Sequence, residues 1–271
     1  MWRFFLIDTM INNNSYFIKF NKEISNALIP EIFNYIQDEI PHPLCIEASH
    51  QLQDYLLTQQ DWIHNFGLEK NNIEPSIGKM FGVLIVENKE KEIGFLVAFS
   101  GKLAGKNIHD LFVPAIYDAL TEEGFLNTGM IELSKINERI ATLYNIDNKE
   151  NKVLINQLKS ERKKHSNQLQ KLLFDNYYFT NQYQEMKGVY ELFPKTLYKN
   201  PPSGTGECAG PKLLQYAFQN EMKPLAIAEF WWGISPKSIK RKHKKYYACC
   251  EEKCTPILKH MMLGIATNLS I

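Results

Sequence analysis

The sequence lacks a long hydrophobic run. The longest apolar stretch near its start, residues 2–7, is short and is interrupted by Arg3. A transmembrane helix needs about 20 consecutive apolar residues, and the apolar core of a secretory signal is also longer than this stretch. We therefore expect a cytoplasmic protein that makes no contact with a membrane.

Cysteine is also scarce, with five in 271 residues. An odd number, with Cys249, Cys250 and Cys254 crowded together, is a poor framework for disulfides and favours a metal or redox cluster. Charge of one sign is not in excess, because the net charge is only +1. Only local clustering of charge can therefore indicate a binding partner.

Two dense apolar runs give the clearest prediction of strands. Residues 81–87 and 93–100 are joined by a short charged link, which favours an antiparallel β-hairpin that is buried on both faces. Further along, residues 208–220 have the pattern of a helix, 225–232 of a strand and 256–266 of a final helix. The sequence thus predicts an α/β (α+β) fold, in which a central sheet carries the hairpin and an α-β-α core that contains the cysteines.

Between these parts lies a long amphipathic stretch. Apolar residues recur at helical spacing from 131 to 173, with a break near 147–151, which predicts a helical hairpin or short coiled coil. We therefore divide the chain into an α/β domain, residues 1–106 and 190–271, and a helical insertion, residues 107–189. The hairpin also offers a surface for self-association or for another protein.

The cysteines predict a zinc site. Thiolate and imidazole are the usual zinc ligands, and a structural site closes with four of them. Cys208 stands at the predicted start of one helix, and Cys250 and Cys254 stand near the start of the last; helix N-termini favour anions. His243 is the predicted fourth ligand, and Cys249 can replace Cys250. Free buried cysteines are the alternative interpretation.

No organic cofactor is predicted. The loop 203–206 before a predicted helix resembles an anion cradle, but it lacks the ending of a P-loop and the full dinucleotide fingerprint. Two acids lie near the predicted zinc site, Glu207 beside Cys208 and Glu229 in the apolar strand. A carboxylate near a zinc-bound water can act as a general acid or base. Glu229 has the alternatives of pairing with a lysine or facing solvent at the sheet edge.

A basic run between residues 237 and 245 is the second candidate site. Six of its nine residues are Lys or Arg, and aromatic residues flank it. Cations for phosphates beside aromatic rings for base stacking are typical of nucleic-acid binding, although a solvated surface loop remains the alternative. The predicted RNA-binding residues are Lys237, Lys240, Arg241, Lys242, Lys244, Lys245, Trp231, Trp232, Tyr246 and Tyr247.

The order of hairpin, helix, strand and helix resembles the core of the zinc-dependent cytidine-deaminase-like fold. The signature of those enzymes is His-x-Glu followed by Pro-Cys-x-x-Cys. This sequence has Gly210 where the Glu belongs, Ala248 in place of the Pro, and three residues between Cys250 and Cys254. The resemblance implies a zinc-dependent hydrolase acting on a nucleobase, and the missing Glu argues against that activity.

A second resemblance covers the chain from about residue 40 onwards. The motifs at 42–45, 78–84, 93–101, 204–214, 223–233 and 250–258 resemble the long N-terminal extension of RluA-type RNA pseudouridine synthases from Bacteroides-like bacteria. The sequences around Glu207-Cys208 and Phe230-Trp-Trp-Gly233 are the most specific of these.

In that family a catalytic module follows this extension, with an essential Asp in a His-Arg-Leu-Asp motif that this sequence does not contain. The resemblance therefore implies an RNA-binding accessory domain that acts with a pseudouridine synthase catalytic module on ribosomal or transfer RNA. Whether the chain has an enzymatic activity of its own stays open. The zinc-dependent hydrolase and a protein-interaction scaffold built on the helical hairpin are the alternative functions.

Overall fold

The computed structural model describes residues 16–35, 40–68, 77–121, 124–145, 148–194, 200–236 and 240–268. It shows a mixed α/β fold with a central mixed sheet, and within these ranges no helix is long and apolar enough to cross a membrane. The described helices are α1 Pro43–Thr58, α2 Phe125–Tyr144, α3 Lys149–Asp175, α4 Val189–Leu192, α5 Ala209–Gln219 and α6 Thr255–Met261. The described strands are β1 Ile18–Lys19, β2 Asn34–Tyr35, β3 Lys79–Glu87, β4 Ile93–Phe99, β5 Tyr178–Thr180, β6 Met186–Gly188, β7 Lys223–Trp232 and β8 Tyr246–Tyr247.

The central sheet has the strand order β1-β4-β3-β7-β2, and β8 also pairs with β7. β3 runs antiparallel to both β4 and β7, which confirms the predicted hairpin, whereas β2 runs parallel to β7. β2 lies beside Ala226 and Ile227, and β8 lies beside Glu229 and Phe230. β2 and β8 therefore lie along the same edge of β7. The cysteine-rich segment directly follows β8, so this pairing places that segment beside β7.

Both faces of the sheet are covered, which explains why its strands are apolar without alternation. Successive side chains point to opposite faces, so Val83 and Phe230 pack with α1 while Leu84 and Ile227 pack with α5. The helix that carries Cys208 and the strand that carries Glu229 are thereby fixed against each other by buried apolar contacts.

The predicted helical hairpin is confirmed as α2 and α3, which pack together around Ile140, Ile155 and Leu158. Both helices lie inside the predicted insertion, residues 107–189. After α3 the chain returns to the body of the protein, where Phe174 and Phe179 join the core beneath α5. The proposed domain boundaries stay a prediction.

Candidate metal centre and basic strand

Three cysteines meet at the N-termini of two helices. Cys208 is the N-cap residue of α5, Cys254 is the N-cap residue of α6, and Cys250 lies in the turn before α6. Their sulphur atoms all lie within 4.8 Å of one another. Cys254 is buried, Cys208 is half-buried and Cys250 is exposed, so this three-thiol cluster is open to solvent on one side.

The spacing of two of the cluster's sulphur atoms is compatible with a shared metal ion. Zinc binds a thiolate at about 2.3 Å in tetrahedral geometry, which places two bound sulphur atoms roughly 3.8 Å apart. The sulphur atoms of Cys250 and Cys254 are 3.6 Å apart. Because all three sulphur atoms lie within 4.8 Å of one another, the cluster could hold a metal ion.

The three thiols differ in pKa. The Cys208 and Cys254 thiols, and then the backbone N–H groups of Lys253 and Cys254, hold the pKa of Cys250 far below its ordinary value. The pKa of Cys208 is raised by Cys250 and by burial, and that of Cys254 by Cys208, Cys249 and Cys250. One thiolate is thus supported by two thiols, whose protons a metal would displace.

A glycine in the sheet allows α5 to approach this closely. Gly82 of β3 lies opposite Glu229 of β7. A Cβ at Gly82 would lie 2.9 Å from the Cβ of Ala209 and 3.0 Å from Leu213 Cδ1, closer than ordinary van der Waals contact. The missing side chain therefore sets the height of the first turn of α5 above β7.

Glu229 reaches the first turn of α5 because the helix lies so close to the sheet. It is only 6% exposed, and burial raises the pKa of its carboxyl group. Its Oε1 atom accepts a hydrogen bond from the Gly210 N–H at 2.9 Å, and its Oε2 atom lies 3.4 Å from the Cys249 sulphur. The sequence alone does not identify the partner of Glu229, although a lone acid in an apolar strand indicates that it has one. In the structure, its carboxylate contacts the N-terminus of α5 and the Cys249 thiol.

The Cys249 thiol is not one of the three converging sulphur atoms, although it interacts with Cys254 as well as with Glu229. Its backbone N–H donates to the Tyr35 hydroxyl at 2.8 Å, which ties it to β2. The Cys254 thiol lowers the pKa of Cys249, but burial and the Glu229 carboxylate outweigh it, so that pKa is raised. The structure therefore places Cys250 in the cluster and Cys249 behind it.

His243, the predicted fourth ligand, is not part of the group of converging ligand atoms. Its Nδ1 atom accepts a hydrogen bond from the Gly233 N–H at 2.9 Å, and its ring lies 4.4 Å from that of Trp232. Trp232 faces α1, on the side of the sheet opposite α5. A backbone hydrogen bond and an aromatic contact thus engage the imidazole, and the structure brings together three of the four predicted ligands.

The basic segment comprises residues 240–247 and ends with β8. Lys240, Lys242 and Lys244 are exposed. The Arg241 guanidinium lies 4.1 Å from the centre of the Tyr247 ring, and Lys245 Nζ lies 5.9 Å from the same centre. Cations and a half-buried aromatic ring therefore share one surface. Lys237 lies outside the described residues.

The two tryptophans of the predicted RNA site are buried. Trp232 is 1% exposed and is covered by His243 and by the Lys244 ammonium, 5.4 Å from its ring centre. Trp231 is 8% exposed, and its indole N–H donates to the Gly233 and Ile234 carbonyls. Neither ring is available for stacking on a base. Tyr246, half-buried, contacts Phe230, which leaves Tyr247 as the accessible ring.

A buried lysine close to the site gave no clear signal in the sequence. Lys212 on α5 is 4% exposed, and its Nζ donates to the Phe99 carbonyl at 2.9 Å. Burial lowers its pKa to about 8, against the opposing effect of the Glu207 carboxylate. With Tyr177 and Glu207 it lines a small pocket beside the start of α5. The sequence places Lys212 four residues after Cys208 but does not show that α5 is covered by other residues, so it does not predict that this lysine is buried.

Comparison of the chain with protein-family models, with curated proteins and with solved structures gives no match.

Proposed function

We propose that this protein is an RNA-binding accessory domain of an RNA pseudouridine synthase, and that a zinc ion on Cys208, Cys250 and Cys254 holds its binding surface in place. One observation carries the proposal: Tyr247 ends β8, and Cys250 of the cluster follows three residues later. An ion that ties this cysteine to the starts of α5 and α6 also fixes the basic segment to the sheet.

The charge distribution supports RNA as the ligand. The chain as a whole carries a net charge of only +1, yet Lys240, Lys242 and Lys244 are exposed within one short segment beside Arg241. Arg241 over Tyr247 presents a planar cation and an aromatic ring together, the pair of groups on which unstacked bases and phosphates are bound in single-stranded RNA.

The resemblance to the extension of RluA-type synthases supports the biological setting. Its motifs at 204–214, 223–233 and 250–258 supply Cys208, Glu229 and the Cys250–Cys254 pair, which meet in space although they are distant in sequence. The isomerisation of uridine is assigned to a separate catalytic module, with ribosomal or transfer RNA in the cytoplasm as the shared substrate.

The helical hairpin supports an interaction role within the same proposal. Its helices expose apolar side chains, with Met130 at 46%, Ile131 at 58% and Val153 at 54%. We assign the contact with the catalytic module to these exposed apolar side chains of α2 and α3. A variant with Ile131→Asp and Val153→Asp should lose association with that module and keep its affinity for RNA; unchanged association would remove this assignment.

The RNA-binding proposal is tested with a charge-matched pair of variants. In the first, Lys240, Arg241, Lys242 and Lys244 are changed to Gln. In the second, four exposed cations of α3 are changed in the same way: Lys159, Arg162, Lys163 and Lys164. Binding to an unmodified transfer RNA transcript and to a ribosomal RNA fragment is measured over a range of salt concentrations.

Each lost phosphate contact reduces the slope of log affinity against log salt by about 0.7 for single-stranded nucleic acid. We expect the first variant to bind more weakly with a shallower slope, and the α3 variant to bind as the wild type does. Equal binding by the wild type and the first variant would overturn the proposal. A larger loss in the α3 variant would move the RNA site to the hairpin.

A further inference from the structure

The pocket beside the start of α5 contains none of the three clustered thiols and none of the basic segment. Its walls come from Gly101 and Glu207 on one side and, on the other, from the segment that leads into α2, with Tyr117, Leu120 and Leu126. Its empty volume is about 350 Å³, including its opening to solvent. Small-molecule sites commonly lie where parts of a fold meet, and this volume is at the lower end of their range. The pocket therefore suits a ligand of only a few carbon atoms.

Lys212 provides a primary amine in this pocket. Its Nζ atom donates to the Phe99 carbonyl at 2.9 Å and lies 3.5 Å from the Gly101 carbonyl. An ammonium group has three N–H donors, whereas a neutral amine has two and a lone pair. The two carbonyl groups can take both N–H groups of the neutral amine. Its lone pair is then directed away from them and stays available for a ligand.

Among the described residues, no ion pair includes Lys212. Burial lowers its pKa to about 8, an effect that Glu207 and Cys208 oppose and Lys79 strengthens. Because an ordinary lysine has a pKa of about 10.4, the neutral fraction at about pH 7.5 is about 200-fold larger for Lys212 than for an exposed lysine. Buried lysines in this state are the ones that form Schiff bases with carbonyl compounds.

We propose that this pocket binds a small aldehyde or ketone with an apolar substituent, and that Lys212 forms an imine with its carbonyl carbon. The two parts of the pocket define this ligand class. The amine requires an electrophilic carbon, and Tyr117, Leu120 and Leu126 offer apolar surface to the rest of the molecule. The site goes beyond the proposed function, because it requires neither zinc nor RNA.

In this step the lone pair of Lys212 Nζ bonds to the carbonyl carbon, and the bonds from that carbon to oxygen break as a carbon–nitrogen double bond forms. Both amine hydrogens leave with the oxygen as water, so no oxidant or further reactant is needed. A protonated imine has one N–H, which can stay on the Phe99 carbonyl. Its positive charge would be stabilised by the Glu207 carboxylate, which already favours the charged form of Lys212.

The test traps the imine by reduction. The wild-type chain is incubated with butanal and sodium cyanoborohydride at about pH 7.5, and each modified lysine is quantified by peptide mass spectrometry. Lys159, Lys163 and Lys164 of α3 are exposed and serve as the internal reference. We expect Lys212 to be modified at least about 10-fold faster than each of them, because more of it is neutral. Modification of Lys212 at the same rate or more slowly overturns the inference.

Three variants test whether the pocket selects the ligand. Leu120→Trp and Leu126→Trp each fill part of the apolar wall, and Leu172→Trp is the control at an exposed position of α3. The loss of apolar contacts should reduce butanal labelling of Lys212 at least about 10-fold in the first two, while L172W matches the wild type. Formaldehyde, which has no substituent, should still label Lys212 in all three.

Wild-type butanal labelling of Lys212 in both L120W and L126W would overturn the pocket as the binding site. Equal loss of formaldehyde and butanal labelling would overturn the apolar substituent as the feature that is recognised. Neither result would bear on RNA binding or on zinc content, so failure of this inference is distinguishable from failure of the proposed function.

Discussion

Gly82 of β3 is paired with Glu229 of β7, and both lie under the first turn of α5. The pairing places a residue without a side chain beside a buried carboxylate, so the backbone of α5 can descend far enough for the Gly210 N–H to reach Glu229. The geometry of the three-thiol cluster therefore depends on the packing of the sheet as much as on the cysteines themselves.

Gly82→Ala should destabilise the protein. The new Cβ would lie 2.9 Å from that of Ala209, and relief of such overpacking usually costs about 1–3 kcal/mol. The matched control is Gly210→Ala, whose Cβ meets only ordinary contacts at 3.4 Å and beyond. We expect G210A to change stability by less than about 1 kcal/mol, in the favourable direction. Urea unfolding that gives the same change for both would contradict this account.

Cys254→Ser should abolish zinc binding. Three thiolates are needed to hold the ion, and the buried sulphur of Cys254, at the start of α6, is one of the three that converge. Metal analysis of purified protein should show one zinc ion per chain in the wild type and a small fraction of that in C254S. Cys45→Ala is the control, because Cys45 is a fully buried thiol in α1 on the other face of the sheet. Loss of zinc from C45A as well would point to general unfolding.

His243→Ala should keep its zinc. The imidazole accepts a hydrogen bond from Gly233 and packs on Trp232, so its removal weakens the connection before β8 and leaves the thiols intact. The lost hydrogen bond should reduce the free energy of unfolding by about 1 kcal/mol. Zinc content and urea unfolding measured on the same preparation check both statements. A zinc-free H243A protein that folds normally would restore His243 as a ligand.

Lys212→Met should change how stability depends on pH. Burial lowers the pKa of Lys212 to about 8 in the folded protein, against about 10.4 in an unfolded chain. Between these values the unfolded state binds a proton that the folded state does not, so stability should rise with pH across this window. K212M removes this contribution. The difference in urea midpoint between the two proteins should therefore shift steadily from about pH 8 to about pH 10, and parallel profiles would contradict it.

The elements that the sequence predicts correctly are those with a strong local pattern. β3, β4 and β7 are unbroken apolar runs because both faces of the sheet are covered, and α2 and α3 carry an apolar stripe at helical spacing. Such patterns state the environment of each residue without reference to distant parts of the chain, so periodicity alone is enough to place them.

The features that the sequence misses depend on contacts between distant segments. The parallel pairing of β2 with β7 involves only two residues of β2, too few for a pattern. The convergence of Cys208 with Cys250 could be proposed from helix starts, but the exclusion of His243 follows from a hydrogen bond to Gly233 that no spacing predicts. Aromatic residues beside cations suggested stacking surfaces, whereas Trp231 and Trp232 are strand residues whose sides are both covered.

The hydrogen bond from Cys249 to Tyr35 joins residues 214 positions apart. Tyr35 of β2 is synthesised long before the four cysteines that follow residue 207. Contacts between such distant segments form slowly, because the intervening chain must first be brought together. The three-thiol cluster can therefore form only after Cys254 has been synthesised and the segments that carry its cysteines have come together, and zinc bound there would mark a chain that has passed both steps.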